Sequence, residues 1–157
     1  MSNCSADFTR GYCGIGVENA KNIKNIGTLW RSAYCLGASF FFTIGSRYEY
    51  QSSDTTKTWK HLAYWRFRDW DDFHEHIPHD CQLVAVELVD NARPLETFTH
   101  PERAIYLLGP EDGGLSKNAL VHAQHVVKFT SKLCLNVAAA GSVVLYDRRV
   151  KSCPAKC

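Results

Sequence analysis

Short apolar runs alternate with segments of helical periodicity along the 157-residue chain. Runs rich in apolar, β-branched or aromatic residues predict buried strands. The predicted strands are residues 11–17, 39–45, 62–67, 82–88, 104–108 and 125–129. Between them, apolar positions at helical spacing and capping residues predict helices. The predicted helices run from a cap at Asn25 through Ala38, over residues 69–77, from Lys117 after a cap at Ser116, and over residues 135–150.

This alternation predicts an α/β fold with a mostly parallel sheet and helices on both of its faces. Ligands of such sheets bind at the carboxyl ends of the strands. The loops 89–94, 109–116 and 130–136 each follow a predicted strand, so they can meet at one edge of the sheet. Ordinary apolar (45%) and charged (22%) contents indicate a folded chain. We expect one domain over residues 1–157, with loose tails at 1–10 and 151–157.

The loop that follows residues 104–108 reads G-P-E-D-G-G-L-S. Gly109 and Pro110 end the strand, because proline cannot donate to a strand ladder and glycine frees the backbone. The loop then carries the acid Glu111 and two glycines before the next helix. It is either a ligand-binding loop or an ordinary strand-to-helix turn with solvated acids. It is not a phosphate-binding P-loop, since Leu115 stands where that motif has lysine.

Charge, cysteine content and the lack of long apolar stretches bear on the protein's partners and location. The net charge is +2, without a basic block that would indicate nucleic acid by itself. The cations after Asp147 are either a solvated end or contacts for RNA phosphates. The start of the chain does not resemble a signal peptide, and no apolar stretch reaches membrane-spanning length. Seven scattered cysteines then indicate free thiols, so we expect a cytoplasmic protein without a membrane partner.

Two further groups of residues leave alternatives open. His74, His76, His79 and Cys81 are ligand types for metals, but their spacing matches no zinc motif, and we predict no metal site. Cys134 is either a nucleophile or a packing residue. The small residues 138–142 in the last predicted helix indicate that another backbone approaches closely, or that the helix crosses a crowded core.

Three blocks of sequence together resemble one family. They are N-I-K-N-I-G-T-L-W-R-S-A at 22–33, L-L-G-P-E-D-G-G-L-S at 107–116 and L-C-L-N-V-A-A-A-G at 133–141. Their order and spacing are similar to the three motifs of the SpoU (TrmH-like) branch of the SPOUT RNA methyltransferases. The resemblance covers the chain from about Tyr12 to Arg149. It leaves no room for an extra RNA-binding domain, so the chain looks like the minimal members that methylate the wobble ribose of tRNA.

The resemblance implies a C-terminal trefoil knot, which holds S-adenosyl-L-methionine and releases S-adenosylhomocysteine as product. It also implies a homodimer with the active site at the interface. By family position, the catalytic residues are Arg31, Asn25, Glu111 and Asn136. Cofactor-binding backbone groups would come from Leu88, Leu108, Gly109, Phe129, Leu133 and Leu135. The third motif usually reads Ser-Leu-Asn, whereas this chain has Cys134 in the first position.

The expected function is therefore methyl transfer to an RNA ribose 2′-hydroxyl, with tRNA preferred over ribosomal RNA as substrate. Since arginine stays protonated, we expect Arg31 to grip an RNA phosphate and not to act as a general base. The alternative is an inactive knotted RNA-binding protein that retains the cofactor pocket. A nucleotide- or flavin-binding module is disfavoured, because Asn19 breaks the G-x-G-x-x-G pattern that begins at Gly14.

Overall fold

The computed structural model describes residues 11–45 and 57–152. Parallel strands and helices alternate along most of this part of the chain. Two short 3₁₀ turns span Thr58–Lys60 and Leu95–Thr97. The strands are β1 (Tyr12–Glu18), β2 (Phe40–Ile44), β3 (Ala63–Phe67), β4 (Gln82–Val86), β5 (Arg93–Pro94), β6 (Arg103–Leu108) and β7 (His125–Lys128). The helices are α1 (Ile23–Cys35), α2 (Trp70–Glu75), α3 (Lys117–His122) and α4 (Val137–Ser152).

Within the described residues the strands form a single sheet of order β3-β2-β1-β6-β4-β7-β5. Every pairing in this sheet is parallel, so all strands end at the same edge. The sequence did not predict β5, a two-residue edge strand within the predicted turn 89–94. Pro94 is tolerated there because an edge strand does not need its missing N–H.

Helices cover both faces of the sheet, as the alternation predicted. Alternate strand residues such as Ile15, Phe41 and Tyr106 form one core with buried residues of α1 and α4. The residues that point the other way form a second core with α2 and α3, whose members include Phe42, Leu83, Ile105, Phe73 and Ala119. The predicted fold class is thereby confirmed. The trefoil knot stays an expectation from the resemblance.

The helix boundaries differ from the predicted ones for physical reasons. Asn22, not Asn25, caps α1, because its side chain accepts the Lys24 backbone N–H at 3.0 Å. α1 ends at Cys35, three residues before the predicted Ala38, and Gly37 then turns the chain with a φ of 84°. At the other end of the chain, α4 begins at Val137 and not at 135.

The C-terminal boundary also moves. α4 continues through Ser152, so residues 151 and 152 are helical and not part of a loose tail. The rest of the predicted tails, residues 1–10 and 153–157, lies outside the described residues, as does most of the predicted loop 46–59. None of the helices described is both long and apolar enough to cross a membrane.

The small residues of α4 allow close helix packing. A Cβ atom at Gly141 would lie 2.3 Å from Leu29 Cδ1 and 3.2 Å from Ile15 Cδ1. Beside this contact, the Ser142 hydroxyl of α4 donates a hydrogen bond of 2.8 Å to the Ser32 hydroxyl of α1. Close approach was predicted here, but the neighbour is a buried leucine side chain and not another backbone. The packing sets α4 firmly against α1, with the amino end of α4 at the carboxyl edge of the sheet.

Candidate active site

A cavity of about 220 Å³ lies at the edge where β4, β6 and β7 end. Loops after these three strands form its walls, so the predicted convergence of the loops is observed. Five of the six predicted cofactor-binding residues line it: Leu88, Leu108, Gly109, Phe129 and Leu135. The sixth, Leu133, lies outside the lining, and its side chain is 80% exposed.

The middle wall of the cavity is the glycine-rich loop after β6. A Cβ atom at Gly109 would lie 2.6 Å from both Gly114 C and Leu115 N, so the loop folds back onto its own first residue. Gly114 takes a φ of 68°, which favours glycine. The glycines therefore allow the loop to close on itself, and the closed loop faces the cavity.

Two carboxylates that sequence reasoning missed hold this loop in place. Glu87, directly after β4, accepts the backbone N–H groups of Leu88 at 2.9 Å and Leu115 at 2.7 Å. Glu18 is only 3% exposed and accepts the Ser116 N–H at 2.8 Å. Each acid ends a strand of the parallel sheet. That position at the carboxyl edge was the signal by which they could have been found.

Three predicted catalytic residues, one from each sequence block, form a hydrogen-bonded series beside the cavity. Asn136 Oδ1 accepts the N–H groups of Ala138 at 3.0 Å and Ala139 at 3.4 Å, so this side chain caps α4. Asn136 Nδ2 must then point away from the helix, and it donates to Asn25 Oδ1 at 3.2 Å. Asn25 Nδ2 in turn donates to Glu111 Oε1.

The capping role of Asn136 thus sets the orientation of the whole series. Because its oxygen is committed to α4, the amide of Asn25 has one satisfactory orientation, with its NH₂ group toward Glu111. Asn25 is available for this because Asn22 caps α1 instead. The Glu111 carboxylate is the acceptor at the end of the series and lines the cavity.

The fourth predicted catalytic residue, Arg31, lies on the same helix as Asn25. It is six residues further along α1, which corresponds to roughly 9 Å of helix rise. Its side chain is exposed. The hydrogen bonds described above join Asn25, Glu111 and Asn136 to one another, and Arg31 is not among the residues of this series.

Charged groups at the mouth of the cavity tie the loops together. Lys21 and Asp112 form an exposed ion pair of 2.6 Å between the segment before α1 and the glycine-rich loop. The hydrogen bond and charge of Lys21 lower the pKa of Asp112 below its usual value. Lys128, at the end of β7, donates to the carbonyls of Val89 at 3.1 Å and Asp90 at 3.0 Å.

The residues with open interpretations lie in different places. Cys134 is exposed and lines the cavity, beside its neighbour Leu135. The four potential metal ligands 74, 76, 79 and 81 do not converge, and no metal-binding group of three or more such residues occurs in the described ranges. Instead His74 packs on His122 with ring centroids 4.7 Å apart, and the His76 ring lies 2.6 Å from the Asp72 carbonyl.

The sequence model of the SpoU rRNA Methylase family matches residues 14–146, which is most of the chain. The chain belongs to this family. All three residues of the hydrogen-bonded series, and Arg31, fall within the matched part of this SpoU family member. A comparison with curated proteins found no match.

Solved structures share the fold of this SpoU chain at low sequence identity. AviRb, a SpoU methyltransferase from Streptomyces viridochromogenes, superposes with a TM-score of 0.80 at 21% identity over 89% of this chain and 59% of its own. An AdoMet-bound rRNA methyltransferase from Sinorhizobium meliloti gives 0.80 at 21% identity, over 89% and 56%. The SpoU chain thus spans less than two thirds of the length of either protein.

A third structure has nearly the same size as the SpoU chain. It was described for the 2-OH methylation of C/U34 on tRNA, and it superposes with a TM-score of 0.75 at 20% identity. The match covers 90% of this chain and 91% of that one.

The cavity of the SpoU chain suits an amphipathic molecule. Val86, Leu108, Val137 and Ala140 provide apolar walls, which suit a flat ring. The Glu87 carboxylate and the ends of three strands provide polar groups at its borders. Hydrogen bonds from Leu115 and Ser116 to Glu87 and Glu18 hold the glycine-rich loop that forms the middle wall of this cavity.

Proposed function

We propose that this chain is an S-adenosyl-L-methionine-dependent RNA methyltransferase that modifies a ribose 2′-hydroxyl. The observation that carries the proposal is the hydrogen-bonded series Asn136–Asn25–Glu111 beside an amphipathic cavity. Three distant sequence blocks supply one residue each, and their side chains meet at the edge where parallel sheets bind ligands. Family membership supports the same reaction class.

In this proposal, the apolar walls and the loop backbone hold the adenosine part of the cofactor, and the strand ends hold the methionine part. The contributing residues are Leu88, Leu108, Gly109, Phe129, Leu133 and Leu135. When bound, the cofactor supplies an activated methyl group for the ribose oxygen and leaves as S-adenosylhomocysteine.

The side chains of the series orient the reacting ribose. Asn25 and Asn136 hold the Glu111 carboxylate in one position, where it can accept a hydrogen bond from a ribose hydroxyl. Fixing that hydroxyl before reaction lowers the entropic part of the barrier. Arg31 grips the adjacent phosphate, and its permanent charge stabilises the developing alkoxide. Since a protonated guanidinium cannot take the hydroxyl proton, its acceptor is the Glu111 carboxylate to which the hydroxyl is already hydrogen-bonded.

We propose tRNA as the substrate. Support comes from the structure described for the 2-OH methylation of C/U34 on tRNA, which superposes over 90% of this chain and 91% of its own. The cytoplasmic location expected from the sequence is part of this proposal.

A homodimer with the active site at its interface is also part of the proposal. Three apolar side chains on α4 are exposed along one stripe: Val143 (43%), Tyr146 (61%) and Val150 (54%). Their spacing of three and four residues places them on one helix face, and such a stripe supports burial against a second copy. Because the same helix begins at Asn136, a partner on this stripe would lie near the site.

The test is methyl transfer from radiolabelled S-adenosyl-L-methionine to total RNA and to purified tRNA, followed by mapping of the modified ribose. We expect label in tRNA that resists alkaline cleavage at one position, and loss of label in the variant Arg31→Ala. If the wild-type chain binds the cofactor but transfers no methyl group, it is instead the inactive RNA-binding alternative. Full activity of Arg31→Ala would contradict the role given to that residue.

A further inference from the structure

A strip of exposed aromatic and basic side chains follows the sheet edge formed by β3 and the turn before it. Residues 57–68 read K-T-W-K-H-L-A-Y-W-R-F-R, with four lysines or arginines and no acid. Together with one residue of α1, exposed members of this segment make what we call the edge patch. Its members are Tyr34, Trp59, Lys60, His61 and Arg66.

The aromatic rings of the edge patch are ordered and accessible. The Tyr34 and His61 rings stack with centroids 5.2 Å apart and planes 24° apart. Lys60 Nζ lies 5.2 Å from the centroid of the Trp59 ring. Tyr34 is 47% exposed and Trp59 is 45% exposed, so both present ring surface to solvent. Exposed aromatic side chains that form one contiguous patch on a folded surface are typical of an interaction site, whereas single exposed ones are not.

α1 connects the edge patch to the candidate active site. Tyr34 lies one turn after Arg31 and nine residues after Asn25, roughly 13 Å along the helix.

 Arg66 of β3 lies on the same sheet face as Tyr64, because side chains two positions apart in a strand point the same way. The shared face is the α1 side, since the Tyr64 ring lies 5.0 Å from that of Trp30. Cations and exposed rings thus continue from the site along α1 to the sheet edge.

We propose that the edge patch binds unpaired nucleotides of the RNA substrate that flank the nucleotide in the cavity. The inference rests on the proposed function, because it assigns a second contact surface to the same substrate. Exposed rings stack on bases, and lysine and arginine contact the phosphates between them. Bases in a paired helix are already stacked on one another, so the patch selects single-stranded RNA.

A second copy of this chain fits the edge patch less well than RNA does. β3 is an edge strand, and the charges of residues 57–68 are all positive, so two copies of this edge would repel each other. The polyanionic backbone of RNA has the complementary charge. Charge complementarity therefore favours RNA as the occupant.

The test measures the affinity of the purified chain for a fluorescein-labelled single-stranded oligouridylate and for a duplex RNA of the same length, by anisotropy. We expect tighter binding of the single strand. Trp59→Ala should weaken it by about 5- to 100-fold, the range that loss of one stacked base implies. Trp59→Phe, which keeps a ring, should restore most of the affinity. Lys60→Ala should lower the slope of log affinity against log salt by about 0.7.

Matched controls come from the other face of the sheet. Trp65→Ala removes a tryptophan that is 41% exposed and stacks on Phe40, and Lys117→Ala removes an exposed lysine of α3. Both should leave the RNA affinity unchanged. Cofactor binding and oligomeric state should be the same in every variant. A dimer that dissociates in Trp59→Ala would show that the patch binds a second copy.

Unchanged RNA affinity in Trp59→Ala and Lys60→Ala, or no binding of single-stranded RNA by the wild type, would overturn the edge patch as an RNA surface. The proposed function fails differently. If the wild type binds the oligonucleotide through the patch but transfers no methyl group to any RNA, the patch stands and the methyltransferase activity does not.

Discussion

Polar side chains lie beside a cavity at the carboxyl end of the sheet, whereas at its amino end they form a buried network. At the carboxyl end, Asn25, Glu111 and Asn136 bond to one another beside a cavity. At the amino end, the buried His100 lies between Tyr106, with Nδ1 2.6 Å from the hydroxyl, and Asp147, with Nε2 2.8 Å from the carboxylate. α4 takes part at both ends, through Asn136 at its start and Asp147 near its finish.

The polar groups of the amino-end network bond to one another and to nearby backbone carbonyls. Arg148 is 7% exposed and donates to the Pro101 carbonyl at 2.6 Å, the Glu102 carbonyl at 2.8 Å and the Tyr106 hydroxyl at 3.1 Å. Burial raises the pKa of Tyr106, so its hydroxyl keeps its proton and can donate to His100. Groups arranged in this way stabilise the fold, whereas those at the carboxyl end lie beside the cavity. The comparison predicts that changes at one end affect stability and those at the other affect activity.

The largest expected effect is at the amino end. Arg148→Met should lower the free energy of unfolding by about 3 kcal/mol, since one buried and two partly buried acceptors each lose a hydrogen bond. Urea denaturation measures this change. Arg149→Met is the matched control, because Arg149 makes one bond of 3.2 Å to the Cys35 carbonyl. Equal destabilisation by the two variants would contradict the role of the network.

At the carboxyl end, Asn25→Ala should lower the rate of methyl transfer by about 100-fold, because Glu111 and Asn136 both lose the partner that positions them. The free energy of unfolding should change little, since Asn25 is only partly buried. Asn118→Ala, at an exposed position of α3, is the control. A variant that is unstable but active when folded would break the comparison between the two ends.

Mild acid should lower the free energy of unfolding through His100 at the amino end of the sheet. Burial lowers the pKa of His100, and the hydrogen bond to Asp147 opposes this shift only in part. Near and below pH 6.5, about the usual pKa of histidine, the unfolded chain therefore binds more protons at His100 than the folded chain does. The free energy of unfolding should fall as the pH decreases through that value. One such proton gives a slope of at most about 1.4 kcal/mol per pH unit.

Unfolding measured between neutral and mildly acidic pH tests this expectation. His125 also has a pKa lowered by burial, so the wild type should keep some slope after His100 is replaced. The difference between wild type and His100→Gln isolates His100. An identical pH dependence in both proteins would show that His100 does not carry it, while methyl transfer by folded His100→Gln should be normal.

The smallest effect is expected from the exposed ion pair at the mouth of the cavity. Lys21→Ala should weaken cofactor affinity by less than about five-fold, since exposed pairs contribute little and salt screens them. Isothermal titration at low and high salt measures the change, with Lys24→Ala as the control for a lost charge on the neighbouring helix. A large effect that persists at high salt would mean that Lys21 contacts the ligand itself.

The local sequence pattern predicted strands and helix ends correctly where one interaction, such as burial or capping, determines them. Residues 104–108 were predicted as a strand from their apolar character, and β6 spans Arg103–Leu108. Ser116 was predicted as a cap, and its hydroxyl accepts the Ala119 N–H at 3.1 Å. At the start of α1, by contrast, Asn22 and Asn25 both suit a cap. The choice depends on Glu111, which is distant in sequence.

The site could be predicted only in part. The resemblance of the three sequence blocks to the family indicated Asn25, Glu111 and Asn136, and the structure brings these three together. Glu87 and Glu18 were missed, because an acid after a strand looks like any solvated charge until the loop that it holds is known. The edge patch was not identified either, although its composition is visible in the sequence, since only the sheet order places β3 at an edge.

By itself, the sequence determined the alternation of strands and helices, because this depends on local periodicity and residue type, and its three motif blocks indicated the family by resemblance. Only the tertiary structure decided which asparagine caps α1, how the glycine-rich loop closes, and which carboxylates hold it. Each of those choices depends on a hydrogen bond between residues far apart in the chain. Such a bond forms only after the parallel strands have aligned their carboxyl ends.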